Sequence, residues 1–428
     1  MNTAALNIWI INHYAGNLKY GMEYRHFFLA RHLHRAGHRP IIISSSFHHL
    51  FTNLPQISGR LTFEIFEGIP FSFIKVPSYR GNGFRRLLNI ISFSLKLNRY
   101  YKVIEKRFHR PDVALCSTPH PFVYFNLAKL RKIYNIPVIY EVRDLWPQML
   151  IELGFISHLN PISHLFYWIE RRAYKESDRV ISLWHSADKY MLKHGLEHDR
   201  YAYLPNGTDV FYEEEFLEGD QSHPLLQMVQ QRHKAGKFVI GYAGSHGFAN
   251  PLECIAKACV ILKKRNIHDV EFLLVGDGPL KENIISTAKN LNLDNLHFYK
   301  YVDKSVIMAF YRILDVAFIG LKDLPLFRYG PTPNKLMDYL AAGKPIIYAI
   351  NSSFDPVKEA GAGVSISADD AEQLVEAILT LKSKPAEELE AMGVAGRKYV
   401  ESELSYRVLA DRLSELFVEC IAEKMCSH

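Results

Sequence analysis

Lys335 and Asp338, three residues apart in the stretch PTPNKLMDYLAAGKPIIY (331–348), are the residues whose spacing most directly suggests chemistry. Pro331 and Pro333 stop any helix arriving from upstream. Asn334 is a good N-cap, and helix formers then run to Gly343, ahead of the apolar residues 345–349. A helix beginning there presents unpaired N–H groups and the positive end of its dipole, which suits an oligophosphate, and Lys335 adds a full charge. Asp338 lies one turn below, where an acceptor-only carboxylate can take both hydroxyl protons of a ribose. Phosphate above and diol below describe a nucleotide. An amphipathic helix with one exposed Lys–Asp pair is the plain alternative.

Other loops carry candidate residues. Gly276-Asp277-Gly278-Pro279 follows the apolar FLLV, and its glycines let backbone approach a flat ligand closely. Gly244-Ser245-His246-Gly247 follows IGYA and could aim N–H groups at phosphate as an anion nest, or simply turn a strand into a helix. Arg143-Asp144-Leu145-Trp146-Pro147 sets charges at the end of PVIYEV, where packing alone does not explain them. His120, in STPHPF, is either a catalytic candidate or a satisfied structural histidine. The first loop, 13–21, has two glycines but not a third at dinucleotide-fingerprint spacing, and the chain has no Walker Gly-Lys-Ser/Thr; the loop reads as a flexible lip over a ligand cleft. With no Asp-x-Asp and no His/Cys cluster at ligand spacing, no catalytic metal is expected.

The elements needed to position these loops alternate strand and helix twice over. Strands are expected at 7–12, 40–44, 112–116, 137–141 and 179–182, with helices such as 20–36 and 124–134 between them. The pattern repeats at 238–243, 270–275, 296–299, 316–319, 345–349 and 363–365. Two parallel-sheet α/β domains follow, joined at LPNGTDVF (204–211), and a last helix at 406–423 crosses back to the first. In such sheets ligands sit outside the carboxyl ends of the strands, where the candidate loops fall.

At 428 residues, 48% hydrophobic, the chain exceeds what one core usually supports. Met1–Thr3 leads directly into LNIWIIN without a basic leader, and no apolar run is long enough to span a bilayer. Five cysteines without a C-x-x-C pair fit reduced thiols in a cytoplasm. The net charge of +6 conceals an asymmetry: 27 Lys and Arg against 14 Asp and Glu up to residue 206, and 24 against 31 after it. Between Arg80 and Arg110 nine basic residues face only Glu105, and Phe84, Leu87, Leu88, Ile91, Leu95 and Leu97 recur at helical spacing. That pattern suits an anionic membrane surface, or equally a core-facing helix with a solvated basic back. No nucleic-acid motif accompanies the charge, so no nucleic-acid partner is expected.

The order and spacing of GMEYRHFFLARHLHRAGHRPIII, VIYEVRDLWP, LPNGTDVF, GYAGSHG, LLVGDGP, YRILDVAFI and PNKLMDYLAAGKPII resemble the retaining glycosyltransferases of family 4 (group 1), over nearly the whole chain. The resemblance implies an α/β chain of the GT-B fold, two facing Rossmann-like domains with parallel sheets and a deep interdomain cleft. Residues 1–205, with a crossover helix at 406–428, would bind the acceptor, through Tyr14, Gly16, Tyr20 and Gly21 among others. Residues 206–405 would bind the donor. Gly276, Tyr301 and Val302 would lie at the base and Asp338 at the ribose. Gly244, Arg328, Lys335 and the helix amides from Asn334 onward would hold the pyrophosphate, with Pro333, Ser245, His246, Asp277 and Gly278 in the surrounding loops. Arg143, Asp144 and His120 would be catalytic candidates beside Lys335 and Arg328.

Departures are visible. Of two glutamates separated by seven residues in the family, Asp338 occupies the second position and Gly330 the first. The paired Arg and Lys after the Gly244 strand are missing, and many members carry His where Arg143 stands. The implied activity is transfer of a sugar from a nucleotide sugar, a UDP-N-acetyl-(deoxy)hexosamine, to a lipid-linked saccharide in bacterial O-antigen or capsule synthesis. No cofactor beyond the donor is implied, and the setting is the cytoplasm or the inner face of its membrane. A sugar-nucleotide epimerase of the same fold, or a non-catalytic nucleotide-sugar-binding partner, are the alternatives.

Overall fold

The computed structural model describes residues 4–21, 23–81, 83–118, 120–209 and 222–426. The chain divides into two units, Met1–Pro205 with Tyr406–His428, and Asn206–Ser405. The end of the expected join, 210–211, and the acidic stretch after it lie outside the described residues, as do 427–428.

The first unit runs β1 (Asn7–Ile11), α1 (Arg25–Arg35), β2 (Arg39–Ser45), β3 (Leu61–Phe66), β4 (Ile69–Ile74), α2 (Phe84–Phe108) and β5 (Val113–Thr118). It continues through α3 (Tyr124–Tyr134), β6 (Val138–Val142), α4 (Gln148–Glu152), α5 (Pro161–Glu176), β7 (Arg179–Ser182), α6 (Asp188–Met191) and β8 (Tyr201–Tyr203). Its sheet has the order β3-β4-β2-β1-β5-β6-β7-β8, parallel except for the β3–β4 pair. Central strands such as Ile8–Ile11 and Ile41–Ile43 are buried on both faces, which is why they read as unbroken apolar runs.

The second unit comprises α7 (Pro224–Lys234), β9 (Phe238–Ala243), α8 (Leu252–Lys264), β10 (Val270–Val275), α9 (Lys281–Asn290), β11 (Leu296–Tyr299) and α10 (Lys304–Ile313). After these come β12 (Val316–Gly320), α11 (Asn334–Ala341), β13 (Ile346–Ala349), α12 (Pro356–Ala360), β14 (Gly363–Ser365), α13 (Ala371–Lys382) and α14 (Ala386–Tyr399). The sheet, β11-β10-β9-β12-β13-β14, is parallel throughout. Ile240, Phe272 and Leu274 of the sheet pack with Ile255 and Leu262 of α8 and Leu374 and Ile378 of α13 in its core. Then α15 (Tyr406–Cys426) returns to the first unit, stacking Tyr406 on Phe28 of α1 and bonding Ser414 to His38.

Three expectations need correction. The β3–β4 hairpin was not foreseen: Glu67 and Gly68, both at positive φ, turn the chain between two apolar segments, and β3 is an edge strand, only partly covered. The first helix starts at Arg25 rather than near 20, because Asn17 accepts the Lys19 and Tyr20 amides on its side chain and holds that stretch in a turn. That turn also overturns the flexible lip, since Tyr14, Ala15 and Asn17 are buried and Gly21 bridges to both Asn17 and Phe51. Among the described residues, no helix is long and apolar enough to cross a membrane. Cys116, Cys254, Cys259 and Cys420 are buried thiols, and Cys426 is exposed.

Candidate functional site

Strand order locates the crevice in each unit. Order reverses between β9 and β12 in the second sheet and between β1 and β5 in the first, and the loops leaving those strands are the ones that can hold a ligand.

In the second unit, α11 delivers Lys335 to the loop that follows β9. Lys335 Nζ donates to the Tyr242 hydroxyl at 2.8 Å and to Asn250 Oδ1 at 3.2 Å, and lies 4.2 Å from the Tyr242 ring centroid. Tyr242 and Asn250 in turn both donate to the Ser245 carbonyl, so the lysine and the 244–250 loop are one hydrogen-bonded assembly. Every partner of the ammonium is neutral. Loss of hydration therefore pulls Lys335 down to about 7, with no carboxylate to hold it up. Gly244 makes room, since a Cβ there would sit 3.0 Å from Nζ. The helix is capped at Pro333, with Asn334 as its first residue, so the expected Asn334 cap is not formed and no side chain closes that end.

Asp338 pairs with Lys304 at the start of α10, 2.5 Å away, which brings the Tyr301–Val302 loop alongside α11. Tyr301 is exposed and Val302 buried. Arg328 is exposed and stacks on its neighbour Tyr329, to whose hydroxyl it donates; it makes no hydrogen bond to the Lys335 assembly among the described residues.

Gly276 and Gly278 are required by a contact between two loops. Their φ angles are +138° and +155°, and a Cβ would fall 2.0 Å from the Gly244 oxygen and 2.7 Å from the His246 carbonyl. Each glycine thus lets the loops after β9 and β10 touch, tied further by the His246 amide to the Asp277 carbonyl at 2.8 Å. Asp277 turns its own carboxylate onto the Gly278 amide. His246 is fully buried, and neither ring nitrogen has a partner among the described residues. Burial, then the charge of Lys281, pushes it down to about 4, so it is neutral, with one donor and one acceptor unused. A buried imidazole in that condition is completed by an ordered water or by a polar group of another molecule.

In the first unit, His13 after β1 meets His120 after β5 at 2.8 Å, both buried at the sheet's reversal point. Burial lowers His13 well below the usual range and His120 to about 3, so the pair shares a hydrogen bond between neutral rings. Tyr14 stands beside them, its ring near His48 and His49, its oxygen accepting from Arg86 of α2. Arg86 thus leaves the basic run and turns inward. Tyr20 is buried on Phe51 and Phe73 and donates to Glu64, and Gly21 is fixed by the Thr52 backbone, 2.9 Å from a hypothetical Cβ. These two shape the loop's base, whereas Gly16 bonds through its amide to the Glu23 carbonyl.

Arg143 has the structural explanation that its sequence position hid: it forms an ion pair with Glu23. Burial opposes the Glu23 charge, but Arg143 overcomes it and keeps that carboxyl below the usual range. Asp144 next to it reaches solvent. Desolvation, then the charge of Glu23, pushes its carboxyl up against the pull of Arg143. Beneath lies a network that sequence reasoning missed. Buried Glu141 takes Arg25 Nε at 3.0 Å, His26 at 2.8 Å and Ser117 at 2.5 Å, while Arg25 also holds the Leu204 and Pro205 carbonyls. Desolvation of Glu141 is outweighed by Arg25 and His26, which hold it well below the carboxylate range. Ionisable residues inside otherwise apolar segments were the available signal. Among the described residues no cluster of three or more His, Cys, Asp or Glu could hold a metal ion.

The model of Glycosyltransferase Family 4 matches residues 21–210 and that of Glycosyl transferases group 1 matches residues 226–399. The chain is 22% identical over 291 residues to the probable glycosyltransferase WbjE of Pseudomonas aeruginosa, a match spanning 67% of this chain and 66%, just under two thirds, of WbjE. It is similar in structure to sucrose-phosphate synthase from Thermosynechococcus elongatus, with TM-score 0.71 and 15% identity over 98% of this chain and 100% of that one. It also resembles Anabaena HepE in complex with UDP and glucose, with TM-score 0.65 and 14% identity over 96% and 99%. The two family models fall one on each unit and together take in most of the chain, which therefore belongs to the glycosyltransferases of family 4 and group 1, with the GT-B fold.

Proposed function

We propose that the protein is a retaining, metal-independent glycosyltransferase that moves a sugar from a UDP-N-acetyl-(deoxy)hexosamine to a lipid-linked saccharide, in bacterial surface-polysaccharide synthesis at the inner face of the cytoplasmic membrane. The observation that carries the reading is Lys335: a half-buried ammonium with only neutral partners, at the start of an uncapped helix beside a glycine loop. A diphosphate is the partner it lacks. Anabaena HepE, crystallised with UDP and glucose, supports uracil as the base. WbjE, named as a probable glycosyltransferase and only 22% identical, supports sugar transfer and nothing finer.

In this reading the acceptor binds the first unit around Tyr14, His120 and Asp144, and the departing β-phosphate removes the acceptor proton on the face it leaves, so configuration is retained. Lys335 and the α11 amides stabilise the charge that grows on that phosphate. Losing one such donor costs about 3 kcal/mol, or roughly 10² to 10³ in rate. Asp338 must release Lys304, or share it, to take the ribose hydroxyls. Gly330 at the position of the first family glutamate leaves the sugar-hydroxyl contact to Arg328 and Tyr329. That substitution is also what a non-catalytic binding partner would show.

A thermal-shift panel of UDP, GDP, ADP, dTDP and CDP on the wild type and on Lys335→Ala tests the reading. A ligand at a hundred times its Kd stabilises a fold by about 2.7 kcal/mol. The expected result is a shift with UDP that Lys335→Ala loses, together with slow hydrolysis of a labelled UDP-sugar that the variant abolishes and EDTA leaves unchanged. A UDP shift without hydrolysis, or without transfer to any saccharide, would favour the non-catalytic partner. A shift that survives Lys335→Ala would remove the lysine from the site.

A further inference from the structure

The basic run on α2 does not present one uniform face. Arg86 turns in to Tyr14, Lys102 pairs with Glu105 at 2.8 Å, and Lys96 and Arg99 turn the other way, toward the ends of the β3–β4 hairpin. There they meet Arg60, just before β3, and Lys75, just after β4, around a groove of about 750 Å³. The Lys75 amide bonds to the Arg60 carbonyl at 3.0 Å, and Lys96 Nζ donates to the Lys75 carbonyl at 2.7 Å, so the backbone fixes the three relative to one another. No acidic residue lines the groove, and among the described residues none of the four cations has an ion pair. Lys96 is held below the usual ammonium range by burial and by the charges of Arg60 and Lys75. Four cations around one hollow repel each other, and an anion placed among them would remove that repulsion.

The rim has a second character. Leu95, 67% exposed, lines the groove, and Leu88 and Phe84 continue from it along the outward side of α2, at 41% and 71% exposure. A small hydrated anion makes no use of such a rim. An anion attached to a hydrocarbon does.

We propose that the groove between the β3–β4 hairpin and α2 binds a phosphate ester, the headgroup phosphate of an anionic phospholipid, with Leu95, Leu88 and Phe84 against its acyl chains. None of the residues lining it belongs to the loops assigned to sugar transfer. It deepens the membrane-surface part of the reading above by giving attachment a defined pocket in place of diffuse charge.

The test compares two double variants that each remove two cations from the same helix: Lys96→Ala with Arg99→Ala inside the groove, and Lys106→Ala with Arg107→Ala outside it. Each is titrated with phosphatidylcholine vesicles containing or lacking phosphatidylglycerol, and separately with inorganic phosphate against chloride of matched ionic strength. Expected is binding to the anionic vesicles that falls about tenfold or more in the groove variant and much less in the other, with phosphate unable to displace the protein. Displacement by phosphate, with direct phosphate binding lost in the groove variant alone, supports the same pocket with a free anion as its source. Equal losses in the two variants, or none, overturn the pocket while leaving membrane association standing. A wild type that binds neither vesicles nor phosphate overturns both.

Discussion

Lys335 changes its charge close to neutral pH, and that gives the candidate site a pH signature. The free site loses the ammonium proton as pH rises through about 7, whereas a bound diphosphate favours the charged form. UDP affinity should fall about tenfold per pH unit above about pH 7, where about one proton is taken up on binding, as calorimetry in buffers of different ionisation enthalpy would report. Lys335→Arg keeps its charge throughout and should flatten the profile; a wild-type affinity constant from pH 6 to 9 would remove the lysine from the phosphate. The helical spacing of Lys335 and Asp338 made both legible in the sequence. Their partners were not legible, because Tyr242, Asn250 and Lys304 are distant in the chain and only the fold brings them there. The same holds for Glu23, the partner of Arg143 in an ion pair, which lies far from it in the chain.

At the scale of elements, the loops after β9 and β10 act as one piece because Gly276 and Gly278 let them touch. Gly278→Ala must move the His246 backbone or strain its own, at about 1–3 kcal/mol. It should lower the melting transition of the second unit and weaken UDP binding together; a variant with wild-type affinity would separate the loop contact from the site. The glycines were visible in the sequence, but that they bring these two loops together depended on strand order. The β3–β4 hairpin was missed for a related reason: Glu67-Gly68 lacks the Asn or Asp that usually announces such a turn.

Helix α5 offers another pH test. Glu170, 4% exposed, accepts from Tyr174 and Tyr190, and burial pushes it up to about 8 despite them. The folded state therefore holds a proton that the unfolded chain releases near pH 4.5, and stability contributed by that proton is lost as pH rises from there through 8. Glu170→Gln should remove that slope, gaining a few kcal/mol over wild type at pH 9 and little at pH 5. Parallel stability curves for the two proteins would show that Glu170 is ionised in the fold.

Across the whole molecule, the alternation of strand and helix predicted two parallel-sheet units, and the sheets have that form except for the antiparallel edge strand β3. The charge split is equally a property of the whole chain, with the basic excess in its first half. How α15 finishes the first unit was only partly legible, because Phe28, His38 and Arg179, its partners, are scattered through that unit. Removing residues 406–426 should lower the first unit's melting transition while leaving the second unit's largely unchanged, as scanning calorimetry would resolve. A loss confined to the second unit would reverse that assignment.

The return of α15 also fixes an order of events during synthesis. The segment 206–405 leaves the ribosome complete and can fold as soon as it emerges, although it is made after most of the first unit. The first unit waits, with the surface of α1 that receives Tyr406 uncovered, until the final helix has been translated. A nascent chain stalled before residue 406 should therefore be a chaperone client through its older half rather than its newer one.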